Sequence, residues 1–246
     1  MFKKILQLIF PEGYSCICCK RDIFDTSNFF CATCEKELPF LTEKACLHCG
    51  EPLISDGNYC KRCKGKEFLC DRAIAPFKYS GKVKTLICEL KDNKYEYIAK
   101  ALAKYMAKTF VENKLYADLI MPVPLCNKRL RQRGFNQSAL LANEVSKILK
   151  IPYCDNCLFR KKETPDQKEL DYKERQTNLI DAFKVIKSKV IKDKSILLID
   201  DIYTTGATTT ECARMLKLKG AKTVYTLTAG HTVLVDITEE EDLWKR

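Results

Sequence analysis

The sequence predicts an α/β protein, a parallel sheet with helices on both faces, preceded by a small metal-binding module. Three observations predict it. Four Cys-x-x-Cys pairs crowd the first quarter of the chain, and extended and helical patterns alternate from residue 73 onward. One apolar run, Ile196-Leu197-Leu198-Ile199, empties into two acids and then a turn of small residues. With 46% apolar residues in 246, the chain has material for one good-sized core plus an appendage, or for two modest domains, and disorder is not expected.

At the amino terminus Lys3 and Lys4 precede Ile5-Leu6-Gln7-Leu8-Ile9-Phe10. This stretch is too short for a signal core and meets Pro11-Glu12 without a small-residue cleavage site, so it reads as a short amphipathic helix packed on the protein. No apolar run approaches the roughly 18 residues that span a bilayer, so no membrane insertion and a cytoplasmic location are expected. Fifteen cysteines without an export signal then favour reduced thiols and metal ligation over disulfides.

The pairs are Cys16 and Cys19, Cys31 and Cys34, Cys46 and Cys49, Cys60 and Cys63. Two residues between thiolates let one tight turn aim both sulfurs at a single tetrahedral ion, and two such turns close a site. Sequential pairing makes two four-cysteine zinc ribbons, residues 16–34 and 46–63; cross-braced pairing, with the first and third pairs sharing an ion, stays open. Four thiolates leave no open coordination position, so two structural zinc ions are expected. So short a segment has few large apolar residues and needs such a staple to fold. Cys18 could exchange with a neighbour as ligand, His48 reads as an exposed filler, and Cys70, Cys88, Cys126 and Cys212 as small core residues. Cys154 and Cys157 form a fifth pair without a second pair nearby.

After this module, expected to occupy residues 1–70, the domain at 71–246 reads as alternating elements. Ala73 to Tyr79 is extended, Tyr97 to Asn113 helical, Asp118 to Val123 extended and Asn136 to Lys150 helical. Ser195 to Asp200 follows as a buried strand, Thr208 to Lys219 as a helix and Thr223 to Thr228 as a strand. Ligands on such sheets bind at the carboxyl ends of strands. There the segment Asp200-Asp201-Ile202-Tyr203-Thr204-Thr205-Gly206-Ala207-Thr208 opens a helix. Backbone N–H groups at that helix start, with the hydroxyls of Thr204, Thr205 and Thr208, can cradle a phosphate, and Gly206 removes the side chain that would block close approach. Asp200 and Asp201 are placed to accept hydrogen bonds from a sugar diol beside it.

This strand, acid pair and turn resemble the type I phosphoribosyltransferase signature, with Tyr203 standing where an aliphatic residue is usual. Met121-Pro122-Val123-Pro124, Lys128 to Gln137 and Arg160 to Gln167 follow in order, and with the cysteine pairs they make nearly the whole chain similar to the ComF family, also called ComFC or GntX. The resemblance implies a phosphoribosyltransferase-type sheet binding phosphoribosyl diphosphate (PRPP) with Mg2+. Residues 124–134 would wrap the pyrophosphate, with Lys128, Arg129, Arg131 and Arg133 supplying charge. The segment 161–180 would close over the reacting carbon, with Arg160, Lys162, Gln167, Arg175 and Asn178 in or beside it. The implied catalytic residues are Asp200, Asp201, Arg133 and Arg175; Thr204, Thr205, Gly206, Ala207, Thr208, Arg129 and Arg131 would join the acids in binding PRPP.

The family association is with DNA uptake in natural competence, which implies handling of incoming single-stranded DNA and a DNA-uptake helicase as partner. Net charge fits phosphate-bearing partners: residues 1–72 hold 11 Lys/Arg against 10 Asp/Glu, whereas residues 73–246 hold 32 against 22. Basic residues interleaved with Phe135, Tyr153, Phe159 and Tyr172 would permit backbone contacts and base stacking. Two other readings stay open: a phosphoribosyltransferase or PRPP hydrolase acting on a small nucleophile, and a regulator that senses PRPP.

Overall fold

The structure, a computed structural model, describes residues 15–23, 28–41, 44–53, 56–66, 68–93, 95–161 and 181–233. The amphipathic helix expected at residues 5–10 lies outside the described residues, as do Lys162, Gln167, Tyr172, Arg175 and Asn178. In chain order the elements are Ala32–Lys36 (α1), Arg72–Ile74 (β1), Phe77–Lys78 (β2), Gly81–Asn93 (α2), Glu96–Glu112 (α3), Leu119–Pro122 (β3), Asn127–Arg133 (α4) and Gln137–Leu149 (α5). They continue with Leu158–Arg160 (β4), Phe183–Val185 (β5), Ser188–Ile191 (α6), Ser195–Tyr203 (β6), Ala207–Leu218 (α7) and Thr223–His231 (β7).

The main sheet has the order β1-β7-β6-β3, with β2 continuing along the same edge of β7 as β1. Every pairing in it is parallel. Parallel strands joined by helical crossovers are covered on both faces, so they read as unbroken apolar runs. All of β3 and the first five residues of β6 are buried accordingly.

Alternation along β6 divides the core. Leu197 and Ile199 join Leu86, Leu90, Leu102, Met106, Leu141 and Val145 of α2, α3 and α5 on one face. Ile196 and Leu198 join Cys212, Ala213 and Leu216 of α7, with Phe183 and Val185, on the other. Among the described residues no helix is long and apolar enough to cross a membrane.

Several elements differ from expectation, and the single extended stretch expected over Ala73 to Tyr79 is two strands, β1 and β2. Helix α2 was not among the expected elements, although Val83, Leu86, Ile87 and Leu90 make a buried i, i+3, i+4, i+7 stripe. A glycine start and interspersed lysines dilute that signal. Strand β6 does not end at Asp200 but runs through Tyr203, because β7 extends to His231 and pairs Ile202 with Gly230 and Tyr203 with His231. Finally, part of the segment expected to wrap a ligand as a loop is helix α4, closed by Gly134 in the left-handed conformation (φ 76°), whose N–H bonds the Leu130 carbonyl.

The cysteine-rich segment shares the main core. Ile17, Phe30 and Leu38 pack in one cluster with Ile74 and Phe77, and the rings of Phe40, Phe77 and Tyr105 lie 5.0–5.6 Å apart.

Candidate functional site

The tertiary structure decides the cysteine pairing. The sulfurs of Cys16, Cys19, Cys31 and Cys34 lie within 4.8 Å of one another, as do those of Cys46, Cys49, Cys60 and Cys63, so the pairing is sequential. Sγ separations of 3.8 Å (Cys19 to Cys31) and 3.7 Å (Cys49 to Cys60) match the ~3.8 Å edge of a tetrahedron with ~2.3 Å Zn–S bonds. Both clusters therefore fit structural zinc. Lys82 of α2 donates to Cys34 Sγ (3.0 Å), which offsets thiolate charge at the first cluster. Cys18 stands outside both quartets. Cys154 and Cys157 are joined in a disulfide, a departure from the all-thiol expectation.

His48 is not the exposed filler expected of it: it is buried, with its ring stacked on Phe68 at 3.3 Å. Its carbonyl accepts the Ala73 N–H (2.6 Å), so the second knuckle is bonded to β1. Gly50 completes that knuckle with φ 75°, and a Cβ there would sit 2.8 Å from the Ala73 carbonyl oxygen. His231 is likewise buried, and its Nε2 donates to the Cys49 carbonyl (2.9 Å).

The acid pair lies near the carboxyl end of strand β6. Asp200 Oδ1 accepts from the Ser138 hydroxyl (2.8 Å) and from the Asp201 N–H (2.9 Å). Asp201 is paired with Lys91 of α2. Burial and the neighbouring Asp201 charge push Asp200 well above the usual carboxylate range. Burial works the same way on Asp201, but the Lys91 charge and hydrogen bonds from Asp200, Lys91 and Gln137 outweigh it and hold Asp201 below that range. The two carboxyls thus divide their work, one ready to hold a proton and one held ionised.

After the acids, Gly206 takes φ 76° and opens α7 without a side-chain cap. A Cβ there would collide with the Tyr203 hydroxyl oxygen and lie 2.7 Å from Cζ. Thr205 Oγ1 accepts from the Ala207 N–H (3.3 Å), and the Gly206 carbonyl accepts from the Thr209 hydroxyl (3.1 Å) and the Thr210 N–H (2.8 Å). Thr204 is exposed, and Thr205, Ala207 and Thr208 are half-buried, so the turn faces outward.

Arg133 donates to Gln137 Oε1 (2.8 Å), which connects it through Gln137 to Asp201. Arg129 and Arg133 are half-buried on α4, whereas Lys128 and Arg131 are exposed. Arg160, whose guanidinium carbon lies 5.7 Å from the Phe183 ring centre, is held below its ordinary pKa mainly by burial, while the Asp200 charge acts in the opposite sense. Arg175 lies outside the described residues.

Lys91, Gln137 and Ser138 were not among the expected site residues. Ser138 and Gln137 were signalled by Asn136, whose side chain accepts the Ser138 N–H (3.0 Å) and donates to the Val123 carbonyl (3.0 Å), capping α5 against the end of β3. Lys91 carried no sequence signal beyond its helix. Lys91→Met leaves Asp201 with an uncompensated buried charge and should cost about 3–5 kcal/mol of stability in urea unfolding. Adding Asp201→Asn should restore most of it; simple additivity of the two losses would show that the pair does not interact.

Comparison with known proteins matches a double zinc ribbon domain over residues 5–64 and a phosphoribosyl transferase domain over residues 136–241. The chain is 31% identical over 219 residues to a Haemophilus influenzae protein named competence protein F, covering 86% of this chain and 94% of that one. It is 30% identical over 200 residues to DNA utilization protein YhgH of Escherichia coli O157:H7, covering 79% and 86%. To competence protein ComFC of Streptococcus pneumoniae it is 29% identical over 201 residues, covering 80% and 84%. With both domains matched in this order and a competence protein F matched over nearly its full length, the chain belongs to the ComF family of double zinc ribbon, phosphoribosyltransferase-type proteins.

Proposed function

We propose that the protein binds PRPP with Mg2+ at the end of β6 and serves natural competence by handling incoming single-stranded DNA in the cytoplasm. The observation that carries the proposal is the pair of unlike carboxyls, Asp200 and Asp201, next to the Gly206 turn. Asp200 and Asp201 accept hydrogen bonds from the ribose diol. Thr204, Thr205 and Thr208, with backbone N–H groups from Gly206 and Ala207, receive the 5′-phosphate at the start of α7. Arg129, Arg131, Arg133 and Arg175 neutralise the pyrophosphate. Magnesium, when bound with the ligand, supplies charge neutralisation for the departing pyrophosphate.

The DNA part of the proposal is supported by the names of the relatives and by the basic excess of residues 73–246, to which exposed Lys128 and Arg131 contribute. A DNA-uptake helicase is the partner this role calls for. The carboxyl pair also favours a second reading, turnover of PRPP by a phosphoribosyltransferase or hydrolase. An acid held ionised by Lys91 suits a site where cationic character develops on the ribose during loss of pyrophosphate.

Calorimetric titration of PRPP and Mg2+ into the zinc-loaded protein tests the pocket, and a pyrophosphate-release assay with and without single-stranded DNA separates the two readings. Saturable binding without release, together with DNA affinity that falls steeply with salt, is expected for the first. Release of pyrophosphate would favour the second. Absence of any PRPP binding would sink both.

A further inference from the structure

Tyr203 occupies a position where the signature usually has an aliphatic residue, and its surroundings give the aromatic ring a task. The side chain is buried in one apolar cluster with Cys46, Cys49, Cys63 and Ala73, flanked by Leu53, Cys60 and Phe68. Its ring therefore rests on the second cysteine cluster. Its other end lies under Gly206, so close that no Cβ could stand there. The His231 ring stacks on it with centroids 5.1 Å apart and planes at 19°, and His231 is itself bonded to the Cys49 carbonyl. The Tyr203 carbonyl accepts the Thr232 N–H (2.9 Å), which fixes the backbone at the same point.

From this packing we infer that metal occupancy of the second cluster and binding of a 5′-phosphoribosyl ligand at the Gly206 turn are coupled through Tyr203. The inference rests on the phosphoribosyl reading of the site. A close-packed interior does not yield continuously, so displacement of the Cys46–Gly50 knuckle must move the ring or open a void beneath the turn. Coupling of two binding equilibria is reciprocal, so the ligand must in turn bias the knuckle. The first cluster has a different environment: Cys16 and Cys34 pack with Ile23, and Cys34 meets Lys82 at the start of α2. The two metals should therefore respond differently.

The test uses full-length protein carrying cadmium-113 in both clusters, with the two resonances assigned through coupling to the cysteine Hβ protons. Titration with PRPP and Mg2+ should shift the resonance of the Cys46, Cys49, Cys60 and Cys63 cluster and leave the other in place. Tyr203→Leu should retain two metals, lose that shift and bind the ligand about tenfold more weakly, whereas Tyr203→Phe, which keeps the ring but not the hydroxyl under Gly206, should keep the shift in reduced size and bind more tightly than the Leu variant. A second-cluster resonance that stays still while calorimetry shows the site saturated would overturn the inference and leave the phosphoribosyl reading intact. Failure of the parent protein to bind PRPP at all would remove that reading, and the coupling with it.

Discussion

Replacing Asp200 and Asp201 together by Asn is expected to weaken PRPP binding about 100-fold or more, because each lost charge-assisted hydrogen bond to the ribose contributes about 1.5–3 kcal/mol. Titration calorimetry at constant Mg2+ reads the loss directly. The single substitutions should differ in stability. The folded state raises the pKa of Asp200, so this group's stabilising contribution is fully present below the unfolded carboxylate pKa and is lost as pH rises through the folded value. At neutral pH Asp200→Asn removes a buried carboxyl whose ionisation burial and the Asp201 charge oppose, while its amide oxygen can still accept from Ser138 and the Asp201 N–H. It should raise the melting temperature even as it weakens ligand binding.

Asp201 has the opposite sign. Its folded pKa is lowered, so its contribution is present above the unfolded pKa and disappears as pH falls through the folded value. Asp201→Asn strands Lys91 and should lower the melting temperature at neutral pH. If both single variants shifted stability in the same direction at neutral pH, the assignment of unlike carboxyls would be wrong.

Stripping zinc with a chelator should have the largest effect on the fold. Structural zinc contributes about 10–16 kcal/mol of apparent binding free energy in small cysteine-ligated modules, and that energy is folding energy. Here the loss should not stay local. Ile17, Phe30 and Leu38 belong to the same core as α2 and α3, and the second cluster carries Tyr203 at the end of β6. Chelation should therefore release two equivalents of zinc, remove exchange protection from the hydrogen-bonded amides of Cys16, Lys20, Cys46 and Gly50, and lower the melting temperature of the α/β sheet as well. An unchanged sheet transition in the metal-free protein would show that the ribbons fold as an independent appendage.

Much of this protein was legible from local pattern. A buried parallel strand is an unbroken apolar run wherever it sits, so Ile196 to Ile199 declared itself. The Gly206 turn was equally readable, because a left-handed residue before a helix start needs glycine for local steric reasons. Helix α2 was less so, since a thirteen-residue amphipathic stripe broken by lysines looks like any solvated segment until something is packed on it. The same limit hid Lys91, whose charge matters only because the fold brings it to Asp201, 110 positions further along the chain.

By itself, then, the sequence determined the ribbon cysteines, the sheet class and the acid-and-turn motif, all of which rest on spacings of a few residues. Only the tertiary structure decided which pairs of cysteines share a site, which carboxyl is kept ionised and why Tyr203 is aromatic. Those three answers depend on contacts between segments far apart in the chain, and side-chain proximity, burial and mutual charge exist only once the chain has folded.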